Sequence, residues 1–168
     1  MNSKNQTSAR IILKRNDVFL LGLRQNTNYA NGKWMLPGGC QELHETGLEC
    51  AIREIREELS VVTDKSNLSF AGVIHWYNET YHTDGLTLNW VCNKWTYVDP
   101  DMTEPVNNEP TKCSQLKWFT KEQIMQIRDE VESTSLCILE HLDQLPVYDE
   151  CDWENRNSSH LLDSSSCN

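Results

Sequence analysis

The sequence predicts an α/β domain built on a mixed β-sheet with helices packed against it. Three observations carry that expectation. Short runs rich in β-branched and aromatic residues recur along the chain, separate stretches repeat apolar residues at helical spacing, and the two kinds of segment do not alternate in a strict β-α-β order. At 168 residues the chain has room for one domain of ordinary size. We place that domain at 9–146, between a disordered polar N-terminus, 1–8, and an acidic, Ser-rich tail, 147–168, which buries little and is expected to be disordered.

Ala9 to Lys14 and Val18 to Arg24 are β-rich runs around Arg15-Asn16-Asp17, the pattern of a hairpin with a tight polar turn. Gln25 to Lys33 reads as loop, and Trp34-Met35-Leu36 is a brief apolar segment that stops at Pro37-Gly38-Gly39. Thr46 and Glu49 have capping-box spacing, so the first helix is expected from Gly47 to about Leu59. Leu68 to Trp76 and Leu86 to Val98 read as paired strands across the polar tract Asn78 to Gly85. Asp99 to Lys112, with Pro100, Pro105 and Pro110, is a loop, and Gln115 to Phe119 returns to strand. Thr120 and Gln123 form a second capping box, opening a short helix through about Arg128. The Leu136, Leu139, Leu142 stripe predicts another helix over Ser133 to Leu145.

Composition narrows the function. The net charge of −10 and pI near 4.9 argue against a protein that grips a nucleic-acid backbone, so no stable nucleic-acid partner is expected. Neither a signal h-region nor a membrane span follows the polar N-terminus, which points to a soluble, cytoplasmic protein with no membrane partner. The 7 cysteines lack any C-x-x-C spacing and are odd in number, so reduced thiols are expected rather than a disulfide framework or a zinc site.

The chemistry lies on the first helix. Leu48, Ile52, Ile55 and Leu59 share one face, which is core. Glu54, Glu57 and Glu58 cluster on the other side within an arc of about 100°. Like charges at this spacing destabilise a helix by about 0.2–0.5 kcal/mol per pair. A solvated acidic surface is the plainer explanation of such a cluster. Converging carboxylates are also what a hard divalent cation prefers, and Mg²⁺ in particular is held by a few of them together with phosphates and water.

From Gly39 to Val61 the sequence resembles the Nudix (MutT-like) box: Gly, five residues, Glu, seven residues, Arg-Glu, an apolar residue, any residue, Glu-Glu, any residue, Gly and an apolar residue. Here it reads Gly39, Glu45, Arg53-Glu54-Ile55-Arg56-Glu57-Glu58-Leu59-Ser60-Val61, preceded by a family-like Leu36-Pro37-Gly38. The one departure is Ser60, where the family has a helix-closing Gly; it costs a little stability and removes no ligand.

The resemblance implies the Nudix fold and a hydrolase acting on the pyrophosphate bond of nucleoside diphosphate derivatives with Mg²⁺, or in its place Mn²⁺. It implies Glu54, Glu57 and Glu58 as metal ligands or water-activating base, a metal contact from the Gly39 carbonyl, Arg53 as the residue that orients a glutamate, and a supporting role for Glu45.

Outside the box the resemblance spans roughly Ile11 to Leu145. Glu109-Pro110-Thr111-Lys112-Cys113 and Leu116-Lys117-Trp118-Phe119 are similar to a eukaryotic subgroup that cleaves nucleoside triphosphates to monophosphates, which makes Glu109 a further candidate metal ligand. Arg24, at a strand end, is a candidate phosphate contact, and Lys33 and Trp34 are candidates at the rim of the Pro-Gly-Gly loop. His75, Tyr77 and His82 lie where a base pocket is expected, although a structural role is the plainer expectation for each, and Trp90, Trp95 and Trp118 are assigned to packing.

The leading expectation is conversion of a nucleoside triphosphate to monophosphate and pyrophosphate, as in sanitation of the nucleotide pool. The alternatives are hydrolysis of ADP-ribose, nucleotide sugars or dinucleotides, and a non-catalytic nucleotide-binding protein, although such binders typically lose a box acid. The partner is a small nucleotide, and similar proteins are frequently homodimers.

Overall fold

The computed structural model describes residues 6–79 and 83–152. In chain order its strands are β1 (Gln6–Arg15), β2 (Val18–Arg24), β3 (Trp34–Met35), β4 (Gly38–Cys40), β5 (Val61–Val62), β6 (Leu68–Asn78), β7 (Thr83–Cys92), β8 (Thr96–Tyr97), β9 (Cys113–Thr120) and β10 (Val147–Cys151). Its helices are α1 (Gly47–Leu59), α2 (Lys121–Gln126) and α3 (Ser133–Glu140).

An 8-stranded mixed sheet runs in the order β10-β6-β7-β1-β2-β3, with β4 added to β1 and β9 to β2. β1 lies parallel to β7 and β10 parallel to β6, while β6 and β7 form a long antiparallel hairpin. The expected β1–β2 hairpin is present, and Asn16 takes the left-handed conformation in its turn, φ 54°. The two strands pair only beside that turn, at Lys14↔Phe19 and Arg15↔Val18. Beyond it they part, β1 continuing between β4 and β7, and β2 between β3 and β9.

Alternation along β1 divides the core. Ala9, Ile11 and Leu13 meet Cys50, Ala51, Ile55 and Leu59 of α1, whereas Ile12 faces Trp34, Leu36, Ile74, Phe119, Ile138 and Leu139 on the side of α2 and α3. The mixed sheet between helices is the predicted fold class. No described helix is long and apolar enough to cross a membrane.

Several expected boundaries are corrected. The N-terminal segment is structured from Gln6, because Gln6 to Ser8 pair with Gly85 to Thr87 of β7. The tail is structured through Cys151, because β10 adds to the edge of β6. Leu86 to Val98 is two strands rather than one, and the polar tract Asn78 to Gly85 is largely strand in its described part. The third helix ends at Glu140 rather than Leu145. His141 to Gln144 form a turn, from which Leu142 and Leu145 still reach the core.

Candidate active site

Helix α1 spans the predicted residues. The Thr46 side chain accepts from the Glu49 N–H, and the Glu49 carboxylate accepts from the Thr46 N–H, so two orphan donors at the N-terminus are satisfied. At the other end Ser60 adopts the left-handed conformation, φ 55° and ψ 26°, the conformation for which glycine is favoured. With Cys50, Ala51, Ile55 and Leu59 packed on the sheet, the acids are left toward β4, which carries Gly38 and Gly39.

Arg53 organises this face. Its Nη2 and Nε bond the two oxygens of Glu45 at 2.7 and 3.0 Å, its Nη1 bonds Glu54 at 2.8 Å and Glu57 at 3.2 Å, and Nη2 also donates to the Cys40 carbonyl at 3.2 Å. One guanidinium therefore ties the loop to two box acids, and Glu45 supplies the bridge between loop and helix. The contact holds the Glu45 carboxyl down at about 2.

Glu58 turns the other way and accepts from the Gly38 N–H at 3.0 Å. Burial, with the charges of Glu54 and Glu109 adding to it, pushes its carboxyl up to about 7. Burial also raises Glu54 despite its ion pair with Arg53, while Glu57 stays exposed. The Glu54 carboxylate lies close over Gly39, where a Cβ would come within 2.4 Å of Glu54 Oε1 and displace it.

The donor set is hard oxygen throughout, and two of its carboxylates carry a raised cost of ionisation that a bound cation would relieve, so these residues fit a divalent metal. They do not form a finished cage. Among the described residues no three acidic, histidine or cysteine side chains stand close enough together to hold an ion, because Arg53 draws Glu54 and Glu57 toward itself and away from Glu58.

The loop after β8 is sewn to the end of α1. Asn108 donates from its backbone to Glu58 O and from Nδ2 to Glu57 O and Ser60 Oγ, all at 2.9 Å, and Val106 N–H meets Leu59 O at 3.1 Å. Glu109 is thereby placed in a cleft with Glu58, Arg24, Lys112, Asn107 and Pro37, and Lys112 Nζ bonds it at 2.6 Å. Arg24 lines the same cleft, its Nε donating to Tyr29 O at 3.1 Å. Glu58, Glu109 and Arg24 thus share the cleft at the C-terminal end of α1, while Arg53 gathers Glu45, Glu54 and Glu57 along the helix.

The structure does not bring Lys33 and Trp34 there. Trp34 is 7% exposed and its ring meets Phe119 edge-on at 4.8 Å, a core contact; Lys33 donates to the Asp129 carbonyl. His75 lies beside Tyr148 and Asp84, and His82 is outside the described residues. Trp95 and Trp118 stack at 6.1 Å, with Arg15 over the latter, and Trp90 packs against Phe70, so all three serve packing. Cys50 is buried, its thiol pushed up to about 12 mainly by that burial.

A second pocket lies on the sheet face opposite α1. Ser8, Arg10, Thr87 and Trp76 line it from the strands, Tyr29 from the loop after β2 and Thr134 from α3, and Cys40, whose carbonyl accepts from Arg53, lines it as well. These residues were not singled out from the sequence. The available signal was Arg10, a charged residue at an inward position of an otherwise apolar strand.

The sequence matches the NUDIX domain family over residues 4–142. Among solved structures the fold is similar to a MutT NUDIX hydrolase from Burkholderia pseudomallei (20% identity, TM-score 0.71, covering 83% of this chain and 98% of that one). It is also similar to a MutT protein from Methanosarcina mazei Go1 (20% identity, TM-score 0.67, 94% and 99% covered). A third is a bifunctional NMN adenylyltransferase/ADP ribose pyrophosphatase from Francisella tularensis complexed with AMP and a Mn ion (19% identity, TM-score 0.63, 84% of this chain and 42% of that one). The chain belongs to the NUDIX family and is a hydrolase acting on pyrophosphate bonds, a family that generally uses divalent metals.

Proposed function

We propose that the chain is a Mg²⁺-dependent nucleoside triphosphate diphosphatase that yields a monophosphate and pyrophosphate, a reaction suited to clearing unwanted nucleotides from the cell's pool. The observation that carries this reading is the arrangement of two spaces. The polar pocket with Trp76 and Arg10 has the character of a base site, and Cys40, whose carbonyl accepts from Arg53, lines it as well. In this reading the base occupies that pocket and the phosphates pass Cys40 toward the acids.

Glu54, Glu57, Glu58 and the Gly39 carbonyl are the residues to hold metal, with Glu109 extending the set across the cleft. A divalent ion held there would neutralise phosphate charge and would lower the pKa of a water. Arg53 fixes the carboxylate of Glu54, and Glu54 and Glu57 are the candidates to accept the proton of the water that attacks phosphorus. Arg24, at the mouth of the cleft, supplies positive charge to a phosphate.

The test is product analysis with Mg²⁺ on a panel of nucleoside triphosphates, modified dNTPs, ADP-ribose, dinucleotides and nucleotide sugars, alongside Glu57→Gln. Monophosphate plus pyrophosphate from a triphosphate, absent in the variant, supports the proposal. Turnover of linked diphosphates alone replaces it with the ADP-ribose or nucleotide-sugar reaction. Binding without turnover, unchanged by Glu57→Gln, means a non-catalytic binder.

A further inference from the structure

We infer that Arg10 selects the base, favouring one whose edge offers two adjacent hydrogen-bond acceptors, as a 6-oxopurine does, over one that presents an amino group. The inference rests on the nucleotide reading above and deepens it.

Arg10 sits on the pocket face of β1 and is 8% exposed. Its guanidinium is a permanent charge with donors and no acceptor, yet its bonds are nearly unmade. Nη1 lies 3.5 Å from its neighbour's carbonyl, Ala9 O, Nη2 lies 3.7 Å from Met35 Sδ, and Nε has no hydrogen-bond partner among the described residues. A buried charged donor left in this state is costly, and such groups are ordinarily paired.

The nearby acids do not pair it: Glu54 and Glu58 feel its charge, yet among the described residues no hydrogen bond joins either of them to Arg10. Glu132 is buried and attracts Arg10 through space, but its oxygens are occupied by Tyr29 Oη at 2.5 Å and by the N–H and hydroxyl groups of Thr134 and Ser135 at 2.8 to 3.0 Å. The charge is balanced while the donors remain open. Across the sheet Asn89, the register partner of Arg10 on β7, keeps a buried Oδ1 without a partner among the described residues.

A donor-only fork wants acceptors. The O6/N7 edge of guanine or hypoxanthine offers two at the spacing of a guanidinium, the commonest arginine–base pairing. Adenine puts its N6 amino group at the same place, so donor would face donor. Trp76 lines the same pocket, and an indole can stack on such a ring.

The test measures binding without catalysis: titration of the full-length, metal-free protein with GMP, IMP, 7-deaza-GMP and AMP, followed by tryptophan fluorescence or calorimetry. GMP and IMP are expected to bind roughly fivefold to a hundredfold tighter than AMP. Removing N7 in 7-deaza-GMP should weaken binding about fivefold or more. Arg10→Gln should shift the preference toward AMP, because glutamine pairs with adenine N6 and N7.

Equal affinities for GMP and AMP overturn the inference, as does a base preference unchanged in a folded Arg10→Gln, which would leave Arg10 a merely structural role. Should that variant not fold, the 7-deaza comparison on the unaltered protein decides alone. Selective binding of GMP by a protein that hydrolyses no triphosphate would retire the proposed reaction and leave base selection standing.

Discussion

Arg53 reaches Glu45, Glu54, Glu57 and the Cys40 carbonyl with one planar group, and only arginine has the fork to do so. Arg53→Lys keeps the charge and loses the geometry. We expect a loss of about 10- to 100-fold in kcat/KM, the range typical of residues that orient metal ligands, with circular dichroism unchanged; full activity would mean the fork is dispensable. Glu58 behaves in the opposite sense, as a group whose ionisation the fold resists. With its carboxyl raised to about 7 from an ordinary 4.5, the native state holds a proton that the unfolded chain releases, so this contribution to stability is present below pH 4.5 and lost as pH rises through 7. Glu58→Gln should therefore stabilise the metal-free protein at pH 8, by up to on the order of 3 kcal/mol, and change little at pH 4. Urea unfolding at the two pH values measures this, and a variant less stable at pH 8 would show that Glu58 contributes through its charge instead. The box acids were legible because their spacing is fixed by one helix. Arg10 and Trp76 were not, since strands distant in sequence bring them together and only the parallel β1–β7 register puts Arg10 beside that pocket.

At the scale of the element, helix α1 was readable from its start because the capping box at Thr46 is a local signal, whereas its end, where Ser60 takes the left-handed conformation without being glycine, carried no such signal in the sequence. Thr46→Ala should cost about 1 kcal/mol of stability, read as a lower midpoint in urea. Ser60→Gly combines two opposed effects. Relief of the left-handed conformation gains about 1–2 kcal/mol for an L-residue, while the exposed bond from Asn108 Nδ2 to Ser60 Oγ, about 0.5–1.5 kcal/mol, is lost. The net expectation is a small stabilisation with activity intact; destabilisation would mean that the Asn108 contact, which also helps seat the Glu109 loop, is the larger effect. Helix α3 shows where such signals fail. Its apolar stripe continues through Leu142 and Leu145 although the helix ends at Glu140, so the spacing reported burial while the backbone had already turned. Likewise the loop from Asp99 to Lys112 read as punctuation on its prolines, and its bonds to the end of α1 depend on a fold that composition cannot show.

Over the whole molecule, the mixed sheet between helices followed from the pattern of segments, but its two margins were misjudged in the same way. Gln6 to Ser8 and Val147 to Cys151 are polar or weakly apolar, and neither has the composition of a strand that forms alone; each is held by a neighbour already in place, β7 in one case and β6 in the other. Gly72 shows how closely β10 is fitted, since a Cβ there would lie 2.1 Å from Val147 O. Cys151 is buried within the same core cluster as Ala71 and Ile74, so the strand closes one margin of that core. Ending the chain after Pro146 should therefore cost at least about 2 kcal/mol from lost apolar burial and unpaired β6 backbone. For a domain of this size that is a fall in Tm of roughly 4–8 °C. A chain ended after Asp152 keeps β10 and is the comparison against which that fall is read. Because β10 supports β6 at Trp76 of the proposed base pocket while the acids lie on α1, the shorter protein should show a raised KM with kcat retained at temperatures below its own transition. Equal Tm values for the two truncations would make the domain end at Pro146 after all and reduce β10 to an edge strand without structural weight.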